Sequence, residues 1–370
     1  MKIVADQNIP FVAEAFAGIG EVVAVPAASI NAKLVRDAEI LLTRSTVRVG
    51  PALLEGSRVR FVATATIGID HLDLDWLKSH NIACASAPGS NADSVALWFA
   101  SALLELAARK EIDLSSLRIG IVGVGNVGSR VERIGRALAK SSSYYPLRCD
   151  PPRERVEGGD FVTLERILAE CDLVTMHVPL YRDGADRTFH LIDEVALAKM
   201  RPSALLFNAS RGEVIDCAAL VGRLTSGKLR AVLDVFEREP APDPTLIAAC
   251  ALATPHIAGH SLDGKLNGTK MIYTATCKFL GVKPTWKPNL ERLESMTGDL
   301  LEVLGKVYRI SEDDAALRRI VAQPDSGKLF REYREHYPVH RELAGVEIET
   351  SDPTAAAVLK ALGADVTKNL

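Results

Sequence analysis

The chain has 370 residues, of which 48% are hydrophobic and 25% charged, and it carries a formal net charge of −3. This length predicts two or three domains of a globular protein with sizeable cores. The small net charge argues against a general electrostatic attraction to nucleic acid or to anionic lipid.

The cysteines and the apolar segments narrow the class further. Six cysteines stand far apart, without the C-x-x-C spacing of a zinc cage or a redox pair, and a disulfide framework is not expected. The most apolar stretch, residues 95–108, is interrupted by Ser101 and Glu105 and is too short to span a bilayer. The N-terminus lacks a signal-type pattern, so we expect a cytoplasmic protein. From the spacing of the cysteines we expect no metal site.

The first ninety residues alternate short apolar runs with helical patterns. The predicted strands are residues 2–5, 21–25, 40–42, 61–65 and 82–84. The predicted helices are residues 10–16 and 72–80. Such alternation predicts a parallel sheet flanked by helices. A helix over residues 95–109 follows; it is apolar nearly all round, so we interpret Trp98 and Phe99 as core residues.

A second alternating series begins near residue 118. Its predicted strands are residues 118–122, 147–149, 173–176, 204–207, 230–233 and 251–253. Its predicted helices are residues 127–139, 164–170, 194–200, 217–225 and 244–249. Six strands with five crossovers make up a complete dinucleotide-binding domain.

The regular alternation of predicted strands and helices ends near residue 280. Residues 283–289, which contain two prolines, predict a linker. Beyond it the predicted elements are helices at 298–308, 313–321, 329–336 and 354–362 and a strand at 346–349.

A glycine motif lies between the first strand and helix of the second series. Gly123, Gly125 and Gly128 have the G-x-G-x-x-G spacing. The first glycine allows a tight turn, the second lets a pyrophosphate approach the backbone, and the third lets helix and strand pack closely. The pattern predicts a dinucleotide site, with a tight turn in some other α/β protein as the alternative.

An acid follows the motif at the expected distance. Asp150 lies 150 − 128 = 22 residues after Gly128, and a carboxylate there can accept hydrogen bonds from the adenine ribose. It would repel a 2′-phosphate, so NAD is favoured over NADP. A helix cap is the alternative role for Asp150, and Arg153 and Arg155 keep NADP open.

Three polar side chains follow the ends of three predicted strands of the second series. They are Arg211, Glu239 and His256. Because ligands bind at the carboxyl ends of parallel strands, we expect the three groups to converge. Each alone is also typical of a turn, a helix start or a surface loop.

The chemistry of hydride removal from a secondary alcohol needs those residue types. Histidine can take the hydroxyl proton near neutral pH. A neighbouring carboxylate favours the protonated imidazole and fixes its tautomer. Arginine can hold a substrate carboxylate in a bidentate fork.

The order of these motifs resembles the D-2-hydroxyacid dehydrogenase family. The motifs are G-x-G-x-x-G, N-x-x-R-G, L-D-V-F-x-x-E-P and P-H-I-A-G. The resemblance implies an NAD-dependent oxidoreductase with Arg211, Glu239 and His256 as its catalytic residues. A C-terminal segment that most relatives lack implies a phosphorylated hydroxy acid as substrate.

The resemblance also implies a fold. It is α/β, with two Rossmann-like lobes and a C-terminal α+β dimerisation domain. The flavodoxin-like substrate lobe takes residues 1–93 and 259–283, the dinucleotide-binding lobe 94–258, and the dimerisation domain 284–370. A homodimer is therefore expected.

Further site residues are implied by the same resemblance. Substrate contacts are expected at Ser45, Thr66 and His260. Beside the glycine motif, NAD contacts are expected at Asn126, Val127, Asp150, Val178, Ala209, Ser210, Asp234 and Gly259. The chain departs from the family at His260, where a tyrosine is usual, at Val178, where a threonine is usual, and at residues 141–143, which replace a glycine–aromatic turn.

A substrate with a carboxylate and a phosphate needs cationic groups at both ends. Arg211 serves the carboxylate, and Arg44 and Lys265 are candidates for the phosphate. Arg341 could reach across a dimer, beside an aromatic-rich stretch at 333–337 that suits an interface; pairing with Glu342 is the alternative.

Two other functions remain open. One is a family member acting on a different acid, such as 3-phosphoglycerate. The other is a non-catalytic NADH-sensing regulator on the same fold, against which the intact Arg–Glu–His set argues.

Overall fold

The computed structural model describes residues 1–139 and 145–367. One compact unit joins Met1–Asn91 to Ser261–Arg292, and the other joins Ala92–His260 to the chain from Leu293 onward. The replaced turn at residues 141–143 lies outside the described residues. The three-domain division stays a prediction; here the C-terminal segment shares a unit with the second strand series.

Most helices and strands occur where the sequence patterns predict them. The strands are β1 (Lys2–Asp6), β2 (Glu21–Val25), β3 (Ile40–Thr43), β4 (Phe61–Thr64), β5 (Ala83–Ala85), β6 (Ile119–Val122), β7 (Leu147–Cys149), β8 (Leu173–Met176), β9 (Leu205–Asn208), β10 (Arg230–Leu233), β11 (Leu252–Ala253), β12 (Met296–Thr297), β13 (Glu347–Glu349) and β14 (Asp365–Thr367). The helices are α1 (Val12–Phe16), α2 (Ala32–Val35), α3 (Pro51–Leu54), α4 (Leu74–Ser79), α5 (Ala92–Ala108), α6 (Asn126–Leu138), α7 (Pro151–Glu157), α8 (Leu164–Glu170), α9 (Glu194–Lys199), α10 (Cys217–Thr225), α11 (Pro244–Ala249), α12 (Leu262–Leu280), α13 (Leu300–Val307), α14 (Ile310–Val321), α15 (Ser326–Glu335) and α16 (Pro353–Ala361). Among the described residues, no helix has both the length and the apolar character needed to cross a bilayer.

The first unit is built on a five-stranded parallel sheet. Its strand order is β2-β1-β3-β4-β5, which is the flavodoxin-like order. The sequence patterns did not predict α12, which packs on β4 and on α1 through the edge-to-face contact of Phe16 with Tyr273. Gly268 permits this packing, because a Cβ there would lie 2.7 Å from the carbonyl oxygen of Ala65.

The second unit contains a six-stranded parallel sheet. Its order is β11-β10-β9-β8-β6-β7, so the chain reverses direction across the sheet between β6 and β8. All six predicted strands are present, and the glycine motif follows β6 at this switch point, where open α/β sheets bind ligands. Trp98 and Phe99 of α5 are fully buried against Phe207, which confirms them as core residues.

The C-terminal segment adds an α+β layer to the second unit. Its parallel sheet has the order β12-β13-β14, of which only β13 was predicted. Helix α16 packs on α6, and α14 packs on β11. Phe330 of α15 is completely buried in a cluster that also contains Leu233 and Ile247 of the nucleotide-binding region. The segment therefore completes a core that the preceding sheet begins.

This shared core predicts a stability effect. Phe330→Ala should lower the free energy of unfolding by about 3–5 kcal/mol, because it removes a fully buried aromatic ring. Val339→Ala is the control, since Val339 is 75% exposed. Both variants can be compared by urea denaturation of the whole chain. A wild-type unfolding midpoint for Phe330→Ala would mean that the C-terminal segment does not contribute to this core.

Candidate active site

The three glycines of the motif have different structural roles. Gly123 has φ +85°, and a Cβ there would lie 2.6 Å from the carbonyl oxygen of His177. A Cβ on Gly128 would lie 2.0 Å from the carbonyl oxygen of Gly123. A Cβ on Gly125 would meet nothing within 4 Å among the described residues, and α6 begins at the next residue. Packing thus requires glycine at positions 123 and 128, whereas Gly125 leaves room at the N-terminus of α6 for a pyrophosphate.

Asp150 stands against the glycine loop at the end of β7. One carboxylate oxygen accepts a hydrogen bond from the Val124 N–H at 2.8 Å, and the other accepts one from the Arg153 N–H at 3.1 Å. Asp150 therefore caps α7, which was the alternative role expected from the sequence. It also contacts the glycine loop, as a dinucleotide site would require. Arg153 donates to the carbonyl of Val124 and pairs with Glu157, and Arg155 pairs with Asp186.

The turn that carries Arg211 is organised by Asn208, the last residue of β9. The buried Asn208 side chain accepts hydrogen bonds from the Ser210 N–H and hydroxyl and donates to the carbonyl of Arg211 at 2.8 Å. Arg211 itself donates to the carbonyl of Ser210. A Cβ on Gly212 would lie 2.1 Å from the backbone of Phe236, so this glycine lets the turn press against the loop after β10.

Glu239 and His256 form a short hydrogen bond. The distance from His256 Nδ1 to Glu239 Oε2 is 2.6 Å, and Glu239 Oε1 accepts from the Phe236 N–H at 3.0 Å. Burial acts to raise the pKa of Glu239, but the charge and hydrogen bond of His256, with Arg334 and the Phe236 N–H, hold it below its ordinary value. An ionised carboxylate thus faces Nδ1, and Nε2 makes no hydrogen bond within the described chain.

A buried carboxylate fixes the loop that carries this histidine. Asp234 accepts hydrogen bonds from the Thr254 hydroxyl at 2.6 Å, the Ile257 N–H at 2.8 Å and the Ala258 N–H at 3.0 Å. Burial raises the pKa of Asp234 to about 6, although His256 and the three donors act in the opposite direction. The contacts described for Asp234 are thus with the histidine loop; its expected contact with NAD stays a prediction.

A second histidine–glutamate pair lies beside the first and was not predicted from the sequence. His190 Nε2 lies 2.6 Å from Glu237 Oε1, and Glu237 Oε2 accepts from the Cys217 N–H at 3.1 Å. Glu237 and Glu239 belong to the same short loop, so each of the two pairs contributes a hydrogen bond that holds it. Glu237 stood inside the recognised motif, but nothing in the sequence indicated its partner 47 residues upstream.

The expected substrate residues occupy defined positions within their own units. In the first unit, Arg44 donates to the buried Asp6 at 2.8 Å, the next residue Ser45 is exposed, and the Thr66 hydroxyl bonds to Thr64 at 2.7 Å. Lys265 lies in the first turn of α12.

In the second unit, the ring of His260 packs edge-to-face on Tyr337, and Arg341 is half-buried. The described residues contain no group of three His, Cys, Asp or Glu side chains suited to a metal ion.

The fold and the glycine loop define an NAD-binding dehydrogenase. Residues 100–258 match the family described as D-isomer specific 2-hydroxyacid dehydrogenase, NAD binding domain. Residues 287–363 match a domain described as one of unknown function, DUF3410.

Relatives that match the full length of the chain identify its group within the dehydrogenases. The chain is 46% identical to an erythronate-4-phosphate dehydrogenase of Ectopseudomonas mendocina, over 99% of this chain and all of that protein. It is 44% identical to the enzyme of that name from Azotobacter vinelandii, with the same coverage. The chain belongs to the erythronate-4-phosphate dehydrogenases, a group of the D-2-hydroxyacid dehydrogenase family.

Solved structures confirm the fold. The TT0316 protein of Thermus thermophilus superposes with a TM-score of 0.63 at 25% identity, covering 77% of this chain and 98% of that one. NAD⁺-bound 3-phosphoglycerate dehydrogenase of Entamoeba histolytica gives 0.64 at 22% identity, covering 78% and 99%.

The glycine geometry predicts that Gly125→Ala affects NAD binding and that Gly128→Ala affects stability. Gly125→Ala should leave the unfolding temperature near the wild-type value but weaken NAD binding at least tenfold, since its methyl group enters the space left for the pyrophosphate. Gly128→Ala should destabilise the fold itself by about 1–3 kcal/mol, because its methyl group overlaps a carbonyl oxygen. Thermal melting and NADH fluorescence titration separate the two. Unimpaired NAD binding by Gly125→Ala would contradict this placement of the cofactor.

Proposed function

We propose that the chain oxidises 4-phospho-D-erythronate to 3-hydroxy-2-oxo-4-phosphobutanoate with NAD, a reaction of vitamin B6 biosynthesis. The observation that carries the proposal is the 2.6 Å hydrogen bond from His256 to Glu239 at the carboxyl edge of the sheet that also presents the glycine loop. The names of the full-length relatives support this choice of substrate.

His256 is the general base of the proposed reaction. Its Nε2 takes the proton of the substrate hydroxyl, while Nδ1 stays hydrogen-bonded to Glu239. The carboxylate stabilises the imidazolium that forms and keeps Nε2 as the reactive nitrogen. Arg211 binds the substrate carboxylate and polarises the new carbonyl group. The nicotinamide ring, when bound, accepts the hydride.

The residues around the glycine loop fit NAD. Asn126 and Val127 begin the helix that faces the pyrophosphate, and Asp150 accepts hydrogen bonds from the adenine ribose. Further contacts are proposed at Val178, Ala209, Ser210, Asp234 and Gly259. Because each Asp150 oxygen has a second lone pair, its present bonds to Val124 and Arg153 are compatible with ribose binding.

The substrate contacts remain those that the family pattern implies. We propose Ser45 and Thr66, with His260 in place of the family tyrosine. Arg44 is the preferred cation for the phosphate, since its bond to the buried Asp6 holds it in place while the guanidinium stays partly exposed. Lys265 and Arg341 are further candidates.

We also propose that the chain forms a homodimer through its C-terminal segment. Within the aromatic stretch at 333–337, the Tyr333 and Tyr337 hydroxyls bond inward to Asp313; Tyr337 is buried, while Tyr333 stays partly exposed. The exposed Val339, which follows them, is the better contact candidate. A cytoplasmic location, expected from the sequence, stays a prediction.

The catalytic roles can be tested by activity. His256→Asn should lower kcat for oxidation of 4-phosphoerythronate by about 10²–10⁴-fold, because the general base is lost, while NADH binding is retained. Glu239→Gln should lose less and should move the acidic limb of the kcat/KM profile to lower pH, since the carboxylate that favours the protonated imidazole is gone.

The outcomes of that assay discriminate between functions. Near-wild-type turnover by His256→Asn would remove His256 from the mechanism. Faster oxidation of 3-phosphoglycerate than of 4-phosphoerythronate by the wild type would contradict the proposed substrate. NADH binding without turnover of either acid would indicate a regulator.

The dimer can be tested on the whole chain. Sedimentation velocity at micromolar concentration should show a dimer, and Val339→Asp should shift it toward monomer by placing a charge on the exposed apolar surface. Val156→Asp, exposed at 86% in α7 outside the C-terminal segment, is the control. A monomeric wild type would overturn the proposal, and a dimer unaffected by Val339→Asp would place the interface elsewhere.

A further inference from the structure

We propose that Arg334 of the C-terminal segment is a positioning residue for the His256–Glu239 pair, an inference that rests on the proposed function. Its Nε donates a hydrogen bond to the backbone carbonyl of His256 at 3.1 Å. The segment that distinguishes this chain from shorter dehydrogenases thereby takes part in setting the geometry and charge of the proton-transfer site.

Helix α14 is tied directly to the strand that precedes the histidine. Asp314 accepts a hydrogen bond from the Ala253 N–H of β11 at 2.8 Å. Arg318, paired with Asp314, donates to the carbonyls of Ile247 and Cys250 at 2.9 and 3.0 Å. These bonds fix α14 against the end of α11 and against β11, so the C-terminal segment is held in register with the residues that lead into the histidine loop.

Helix α15, which carries Arg334, is tied in turn to α14. The buried Asp313 accepts hydrogen bonds from the hydroxyls of Tyr308, Tyr333 and Tyr337 at 2.9, 2.7 and 2.6 Å. Tyr333 is the residue before Arg334, and Tyr337 follows three residues later. The guanidinium also lies over the ring of the buried Phe330. Arg334 is therefore presented from a rigid support.

The carbonyl that Arg334 binds belongs to a strained peptide. His256 has φ +55°, in the left-handed region that residues other than glycine rarely adopt. Its N–H donates to the carbonyl of Thr254 at 3.0 Å, and Asp234 holds the N–H groups of the next two residues. Arg334 supplies the remaining restraint, on the carbonyl side, and so helps to keep the imidazole aimed at Glu239.

The charge of Arg334 has a separate effect from its hydrogen bond. Among the described residues, the charge of Arg334 acts on Glu239, and the carboxylate of Asp234 interacts with His256. Arg334 lowers the pKa of Glu239, so its removal should make the pair hold its proton more tightly. Oxidation needs the proton-accepting form, and the acidic limb of its pH profile should therefore move to higher pH, opposite to the shift expected for Glu239→Gln.

Three variants of the whole chain separate these effects. Arg334→Met removes both the charge and the hydrogen bond, Arg334→Lys keeps the charge, and Arg331→Met is the control because Arg331 is exposed on the same helix. Each is assayed for kcat/KM against pH with 4-phosphoerythronate and for NADH affinity. Titration of the His256 ring by ¹⁵N-histidine NMR, assigned with His256→Asn, gives a second readout without substrate.

The proposal expects a distinct pattern. Arg334→Met should lose about tenfold in kcat, as a displaced base would cause, and should shift the acidic limb upward by about half a pH unit. Arg334→Lys should restore the wild-type limb, and NADH affinity should stay unchanged in every variant. The His256 ring should titrate at higher pH in Arg334→Met than in Arg331→Met.

Two failures are distinguishable. A folded Arg334→Met whose pH profile and ring titration match those of Arg331→Met overturns the positioning role. A wild type that does not oxidise 4-phosphoerythronate overturns the proposed function, and the NMR titration then decides the role of Arg334 alone. If Arg334→Met does not fold, Arg334→Gln decides, because it keeps a hydrogen-bond donor but removes the charge: an acidic limb moved to higher pH supports the charge effect, and a wild-type limb overturns it.

Discussion

The candidate site depends on the hydrogen bonds that the carboxylate of Asp234 accepts. This carboxylate is almost completely buried, yet it accepts three hydrogen bonds, all from the loop that follows β11. An uncompensated charge in such a position would be strongly destabilising, so the loop is held where its donors meet the carboxylate. His256 lies in this loop with a φ of 55°, and its ring is hydrogen-bonded to Glu239.

The neighbouring loops are fitted to this arrangement by small residues and local hydrogen bonds. Gly212 lets the Arg211 turn approach the backbone of Phe236, and the Phe236 N–H in turn orients Glu239. The Trp98 indole donates to the Thr254 hydroxyl, which connects the buried helix α5 to the same network. Hydrogen bonds thus connect α5 and the loops after β10 and β11, while close backbone packing joins the Arg211 turn to them.

Much of the fold and the main motifs were predictable because they rest on local chemistry. The strands of both large sheets are short apolar runs bounded by turn residues, and the glycine motif and the three catalytic candidates follow strand ends. Helix α12 was not predicted because Gly264 and Gly268 interrupt its apolar pattern. Both glycines are needed for close packing. Strands β12 and β14, of two and three residues, are too short to show a period.

The rest of the site could not be predicted because it depends on long-range contacts. The pairing of His190 with Glu237, the bond from Arg334 to His256 and the three tyrosines around Asp313 join residues whose spacing in the sequence has no regular pattern. Asp150 shows the converse case: its position in the sequence allowed both a ribose contact and a helix cap, and the structure shows the cap while the ribose contact stays a prediction.

The strand order also bears on how such an enzyme can change over evolution. Asp150 follows β7 at one edge of the six-stranded sheet, whereas Glu239 follows β10, four strands away. At roughly 4.8 Å per strand, the two positions are separated by about 19 Å. In the proposed site, mutations at Asp150 that alter the choice between dinucleotides would therefore act at one end of the sheet, away from the His256–Glu239 pair at the other. Cofactor preference and reaction chemistry are separable traits in this architecture, open to selection one at a time.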